Sequence, residues 1–416
     1  MRNLLRRRDL LLSSLPLTLA ACGASDKDAS TVGTSTQEVE LFSWWIAPSE
    51  ADALDALIAL HRQKYPNERV FNGAVESGAK AKEVLAERIA AKVPPDLYQE
   101  NAYNLPVVRE QNPGSLLTIT ELFDAEGLRD VLLPEVIDDV TIDGEIAAMP
   151  VNVHRENSLI YNQHLFEEQG LEVPTTLDEF FTVCDALKAA GITPLATSHT
   201  GWIQRILFNS LTAASMGAEA YRSYFLGESE LDEPALREAI GLLDRVLTSY
   251  VNDSASDVEF GWTDCADLLF NGQAAMFIHG DWAKGYFTSN GWDPGTSFGV
   301  VGTPGAADLF LYGVDVLALL DGAKSPEAAQ DFLRVVASKE GQVAFNKIKG
   351  STPIRLDVDS DDLDVVAQAT LKSLRDAKLR MLTRSKATWD AALEAFAASR
   401  DVDALIAAYR DNPPGA

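Results

Sequence analysis

Val39-Glu40-Leu41-Phe42-Ser43-Trp44-Trp45 opens a stretch in which strand and helix patterns alternate. Its apolar run reads as a short strand, and residues 49–65 then place Ala53, Leu54, Leu57, Ile58 and Leu60 at helical spacing. Arg69-Val70-Phe71-Asn72-Gly73-Ala74-Val75 supplies a second strand and residues 79–92 a second helix. Pro94-Pro95-Asp96-Leu97-Tyr98-Gln99 leads into a third strand. Strands that alternate with helices predict an α/β fold with a mostly parallel, helix-covered sheet. Ligands of such sheets gather beyond the carboxyl ends of the strands. Trp44, Trp45 and the segment from Gln99 to Asn101 stand at those ends.

Further along, Val140-Thr141-Ile142-Asp143-Gly144-Glu145-Ile146 reads as a hairpin, because Asp-Gly tolerates the positive φ of a tight turn. It feeds residues 147–153, a crossing strand. A second α/β unit follows, with 158–161 extended, 162–169 helical and stopped by Gly170, a helix start at Thr176-Leu177-Asp178-Glu179, and a strand over 191–196. Helices fill 201–269, broken at Gly217, Gly227 and 251–257.

The N-terminal residues are of another kind. Arg6-Arg7-Arg8-Asp9-Leu10-Leu11, a short apolar middle and Leu19-Ala20-Ala21-Cys22 have the shape of a secretory signal, and the middle is too short to span a bilayer. The last four residues resemble a bacterial lipobox, in which Cys22 receives lipid and becomes the first mature residue. An ordinary cleaved signal that contains a cysteine is the alternative. Arg7-Arg8-Asp9-Leu10-Leu11 also resembles a twin-arginine export signal, so the route is of the Tat or Sec type. Residues 23–37 are rich in Ser, Thr, Ala, Asp and Gly, the composition of a flexible tether.

The formal charge is −27, and loss of the first twenty-one residues, with four arginines and one aspartate, would make it three units more negative. Such a surface argues against nucleic acid as a partner. The length beyond the tether suits two domains at roughly 100–200 residues each. Cys184 and Cys265 sit in apolar helical contexts and read as buried free thiols, with no spacing that suggests a metal site and no cofactor implied. The five histidines, His61, His154, His164, His199 and His279, fall in no catalytic signature. A glycosidase pair such as Asp281 with Asp315 is the enzymatic alternative.

The tryptophans point elsewhere. Trp44, Trp45, Trp202, Trp262 and Trp282 fall at element ends beside Ser43, Gln204, Asp264 and Asp281. Any one of them reads first as packing, but together they suit a cleft for a neutral carbohydrate. Indole rings take the apolar C–H faces of a sugar, and planar polar side chains take its hydroxyls.

Phe42-Ser43-Trp44-Trp45, Pro94-Pro95-Asp96, Tyr161-Asn162 with Pro174-Thr175-Thr176-Leu177-Asp178-Glu179-Phe180, Gly191-Ile192-Thr193-Pro194, Phe277-Ile278-His279-Gly280-Asp281-Trp282 and Lys349-Gly350-Ser351-Thr352-Pro353 together resemble the family 1 extracellular solute-binding proteins of ABC sugar importers. The resemblance is nearest to the glucose- or mannose-type monosaccharide binders. It implies a two-lobed periplasmic-binding-protein fold of type II, similar to maltose-binding protein, with discontinuous lobes and a hinge. The crossings fall near 147–153, 311–316 and 351–355. Residues 1–22 are then the export signal, 23–37 the tether, 38–150 plus 311–353 lobe one, and 151–310 plus 354–416 lobe two.

The resemblance implies stacking rings at Trp44 or Trp45 and at Trp262 or Trp282, and hydroxyl partners at Gln99, Asn101, Asp315 and Lys349. Asp281 either joins them or braces the Gly-Asp-Trp turn, and His154 either joins them or belongs to the crossing strand. Two family histidines are replaced here, by Glu100-Asn101-Ala102 and by Arg384-Ser385-Lys386. The implied partners are a sugar such as glucose, ABC permease subunits, and the membrane through the lipid anchor. The protein is expected to be a monomer. A receptor that feeds a sensor is the alternative within the same class.

Replacing the anchor residue tests the export reading: Cys22→Ser should move the protein from the membrane fraction to a soluble or unprocessed form, followed by fractionation and by mass spectrometry of the mature N-terminus. A wild type found wholly soluble in the periplasm would remove the anchor.

Overall fold

The computed structural model describes residues 36–75 and 77–414, so the export signal, Cys22 and nearly all of the tether lie outside the described residues. Fourteen strands follow in order. β1 (Gln37–Phe42), β2 (Glu68–Asn72) and β3 (Leu97–Asn101) come first. The short β4 (Thr141–Ile142), β5 (Glu145–Ile146), β6 (Met149–Pro150) and β7 (His154–Arg155) follow. Next are β8 (Ser158–Asn162), β9 (Thr193–Ala196), β10 (Ala274–His279) and β11 (Phe298–Gly302). β12 (Leu309–Gly313), β13 (Asp315–Leu319) and β14 (Leu379–Leu382) close the series.

They form two principal sheets, ordered β2-β1-β3-β13-β6 and β11-β8-β10-β9, and a three-stranded sheet β14-β12-β7. The expectation of a mostly parallel sheet is corrected. β1 runs parallel to β2 and β3, but β13 is antiparallel to both β3 and β6. In the second sheet only β9 and β10 are parallel. The physical reason is the connectivity: β13 is reached through the short turn after β12, not through a helical crossover, so nothing obliges it to run with β3. The crossing segment 147–153 is likewise less regular than a strand, with Met149–Pro150 paired as β6 and Val153 bridged singly to Thr352. Pro150 is tolerated there because β6 is an edge.

Local chemistry sets the elements much as the sequence suggests. Asp143 and Gly144 both take positive φ in the β4–β5 hairpin. Thr176 and Glu179 form a reciprocal capping box at the start of Leu177–Ala189. Cys184 and Cys265 are buried free thiols.

Each principal sheet has its own apolar core. Val39, Leu41, Leu97, Met149, Val316 and Leu317 belong to the first, and Leu159, Leu195, Leu211, Ala275 and Met276 to the second. β12 serves both. Phe310 and Tyr312 enter the first core, whereas Leu309 and Leu311 enter the second. This is the two-residue period of a strand put to use as a wall between lobes. Gly313 and Val314 then carry the chain from the three-stranded sheet to β13. A further passage runs from β6 through Val151–Val153 to β7, and a bridge of Val153 to Thr352 marks a third. The fold is the two-lobed type II architecture.

The helix Ala283–Ser289, which follows β10, packs against the end of Lys339–Lys349. The approach is close enough that a Cβ on Gly285 would lie 2.5 Å from the Lys349 carbonyl oxygen and 2.6 Å from that of Ile348. Helix propensity alone predicts that Gly285→Ala stabilises by up to about 1 kcal/mol. The backbone clash predicts the opposite, a loss of about 1–3 kcal/mol. A lower urea midpoint is therefore expected, and a raised one would show that the two helices can part without cost.

Candidate functional site

The residues that carry the site come from the ends and crossings of these sheets. Asp315 opens β13 opposite Asn101, the last residue of β3, and so lies diagonal to Gln99 on one face. Gln99 Nε2 donates to Asp315 Oδ1 at 3.3 Å, and its Oε1 accepts from the Trp44 backbone N–H at 3.1 Å. Asn152, in the passage from β6 to β7, donates to Asp315 Oδ2 at 3.0 Å and accepts from the Asp315 backbone N–H at 3.1 Å. Gln99, Asn152 and Asp315 thus form one buried amide and carboxylate set.

Asp281 follows β10 in the second sheet. Its Oδ1 lies 2.6 Å from His154 Nδ1, and its Oδ2 accepts from the Arg155 backbone N–H at 3.0 Å. His154 Nε2 is 3.3 Å from Asp315 Oδ2. The imidazole therefore spans two carboxylates, one anchored to each principal sheet. The Asp281 carboxylate is thus held by the crossing strand, through His154 and the Arg155 backbone. Lys349 Nζ is buried and held 3.0 Å from Glu50 Oε1.

Three of the tryptophans converge. The rings of Trp202, Trp262 and Trp282 lie 5.3, 6.0 and 4.8 Å from that of His279, and Trp282 also meets His154 edge-on at 5.0 Å. Only glycine fits at 280, where a Cβ would lie 1.9 Å from the Trp282 ring folded back over it. Trp44 is half-buried against Gly78 and edge-on to Tyr98 on the other lobe.

Trp45 is corrected. It is 1% exposed and packs in the first core, 5.2 Å from Phe345. Beyond the end of β1 the chain turns, with the Ile46 N–H bonded to the Trp44 carbonyl, and Trp44 stays half-buried while Trp45 enters the core. Asn101 is half-buried beside Asp315.

The model for bacterial extracellular solute-binding proteins matches residues 47–343, most of the folded chain. The chain belongs to that family. An uncharacterized ABC transporter extracellular-binding protein of Pyrococcus horikoshii is 30% identical over 97% of this chain and 92% of its own. The xylose/arabinose-binding protein XacG of Haloferax volcanii is 27% identical over 82% of this chain and 74% of its own. Among solved structures, a chitin oligosaccharide binding protein superposes with a TM-score of 0.78 at 20% identity, over 91% of this chain and 98% of that one, a likeness of fold.

Buried charges of this solute-binding protein stand beside the Trp202, Trp262 and Trp282 rings. Burial and Lys349 would lower the His154 pKa, but Asp281 and Asp315 outweigh them and raise it above 6.5. Burial would raise Asp315, but the hydrogen bond and charge of His154 bring it below 3.8. A glycosidase acid must hold its proton near neutrality, which Asp315 does not, and both members of the Asp281–Asp315 pair already serve His154. His279 is the reverse case. Burial, then the nearby His154 charge, keep it well below its ordinary value and therefore neutral. Its Nε2 accepts from Trp282 Nε1 at 3.1 Å, which puts the proton on Nδ1.

Several site residues escape the sequence reading. Asn152 lies two residues before His154 in the same crossing segment, a proximity that the sequence shows. Arg205 lies one helical turn after Trp202 on Gly201–Met216, also a readable spacing. His279 gave no signal beyond its neighbours.

The paired shifts have opposite signs. The raised His154 pKa contributes stability that is complete below 6.5 and is lost as pH climbs through the folded value. The lowered Asp315 pKa contributes stability present above 3.8 and lost as pH falls through its folded value. The bridge is at full strength between those two pH values. Thermal melting of the ligand-free protein should show this window, and His154→Gln should flatten its alkaline limb at a cost of about 3–5 kcal/mol. A variant with the wild-type pH profile would show that the bridge is not what titrates.

Proposed function

We propose that this chain is the extracytoplasmic sugar receptor of an ABC importer, capturing a monosaccharide between its lobes for delivery to the permease. The observation that carries the proposal is the convergence of Gln99 and Asp315 from one lobe with Asn152, His154, Asp281 and the Trp202–Trp262–Trp282 group of the other. Planar amides and carboxylates at fixed angles suit sugar hydroxyls, and indole faces suit sugar C–H groups. Lobes 38–150 plus 311–353 and 151–310 plus 354–416 hinge about the three passages, and ligand contacts on both sides favour closure. Lipid on Cys22 tethers the receptor to the membrane. The names of the relatives, one an ABC transporter binding protein and one a pentose binder, support the transport role and widen the ligand from glucose to aldoses of five or six carbons.

Intrinsic tryptophan fluorescence of the purified protein, titrated with D-glucose, D-mannose, D-galactose, D-xylose and L-arabinose, tests the reading. One of them should respond at micromolar concentration or below. Trp282→Ala should weaken that response by roughly 30- to 1000-fold, and Asp315→Asn should cost roughly 1.5–3 kcal/mol of affinity. Flat traces with every sugar, or sustained turnover of an oligosaccharide, would defeat it.

A further inference from the structure

Beside the His154 bridge lies a second polar pair that none of the contacts described above uses. Glu156 stands in the bend just after β7 and is 8% exposed, and Arg205 is 5% exposed. Arg205 Nε donates to Asp390 Oδ1 at 2.9 Å. Its Nη1, however, stops 3.5 Å from Glu156 Oε2. Both atoms are buried, and neither finds a hydrogen-bond partner among the described residues. The Thr383 hydroxyl sits near Glu156, also buried and outside hydrogen-bond geometry.

A structural ion pair at this depth should close to a direct charge-assisted bond of about 2.7–2.9 Å, because buried polar atoms left unpaired are costly. The open 3.5 Å base instead suits an apex. An oxygen about 2.8 Å from each atom would complete a triangle upon the pair. That oxygen must accept from the guanidinium and donate to the carboxylate. An ammonium cannot accept and an ionised carboxylate cannot donate, whereas a sugar hydroxyl, like the water it would displace, does both.

The pair also faces the opposite lobe. Tyr103, just beyond β3, feels the charges of Arg205, Glu156 and Asp390 after the dominant effect of its own burial. Tyr103 is half-buried, and its coupling to both charges puts the pair within electrostatic reach of the opposite lobe. Burial of Glu156, opposed by Arg205, lifts its carboxyl above the ordinary value. An incoming hydroxyl that donates to it would favour the ionised form.

We infer that Glu156 and Arg205 together form a specificity-determining subsite that reads one hydroxyl of the bound sugar. The inference rests on the receptor reading above and goes further by assigning this pair to the ligand. Asp390 positions the guanidinium and touches no ligand.

Calorimetric titration of wild type, Glu156→Gln and Arg205→Lys with the five aldoses, followed by the monodeoxy analogues of the sugar that binds, is the test. Each variant should lose about 10- to 100-fold in affinity for the parent sugar. One monodeoxy analogue should cost the wild type a similar factor yet cost the variants nothing more, while the other analogues weaken all three proteins alike. Variants that bind the parent sugar as the wild type does would overturn the subsite. So would variants whose losses are the same whichever hydroxyl is removed, since that marks a structural pair. If Arg205→Lys does not fold, the near-isosteric Glu156→Gln carries the comparison, and a wild-type series without a dominant hydroxyl overturns the proposal on its own. A wild type that binds none of the five sugars defeats the receptor reading, and the subsite falls with it.

Discussion

His154 holds two carboxylates that belong to different sheets, and most of the site's geometry follows from this. Asp281 follows β10 in one lobe and Asp315 begins β13 in the other, each within hydrogen-bond or ion-pair reach of one imidazole. Two buried anions so close would repel each other without a cation between them. A charged imidazole removes that conflict only if the strand carrying it passes between the lobes, as β7 does. The dependence runs both ways: the crossing puts His154 there, and the charge pairing gives the crossing a defined register. Such pairs add less to net stability than their Coulomb attraction suggests, because desolvation opposes it, and their better-attested contribution is to specify geometry.

The same crossing explains how the two cores remain separate yet joined. β12 turns alternate side chains into opposite cores, so the chain can pass between lobes without leaving apolar surface in water. Around this wall the contacts are polar or glycine-based: Asn152 on Asp315, Lys349 on Glu50, and Gly285 against the end of Lys339–Lys349. Polar contacts of this kind exchange for water more readily than a packed apolar interface, which is the behaviour a hinge requires. The aromatic group around His279 sits on one side of the hinge as a preassembled surface, held by the Trp282-to-His279 hydrogen bond and the glycine at 280.

Comparison of the readings is instructive at particular residues. Strand and helix order, the Asp143-Gly144 hairpin and the Thr176 cap follow from local periodicity and turn chemistry, and the structure agrees with each of them. Gln99, Asp281, Asp315, His154 and Trp282 were selected as candidates one at a time, and the structure brings them into one connected set. Trp44 and Trp45 look alike in one dimension, whereas packing buries only Trp45 in the first core.

The amino-acid sequence by itself determined the α/β class, the family and the residue types available for a polar, indole-lined cleft, because these depend on pattern and composition along the chain. The tertiary structure alone decided the antiparallel entry of β13, the service of one imidazole to two carboxylates 34 residues apart in number, and the meeting of Glu156 with Arg205. Those depend on how distant segments are returned to a common place. Pairwise distance across a fold is set by packing of the whole chain, and no local period encodes it.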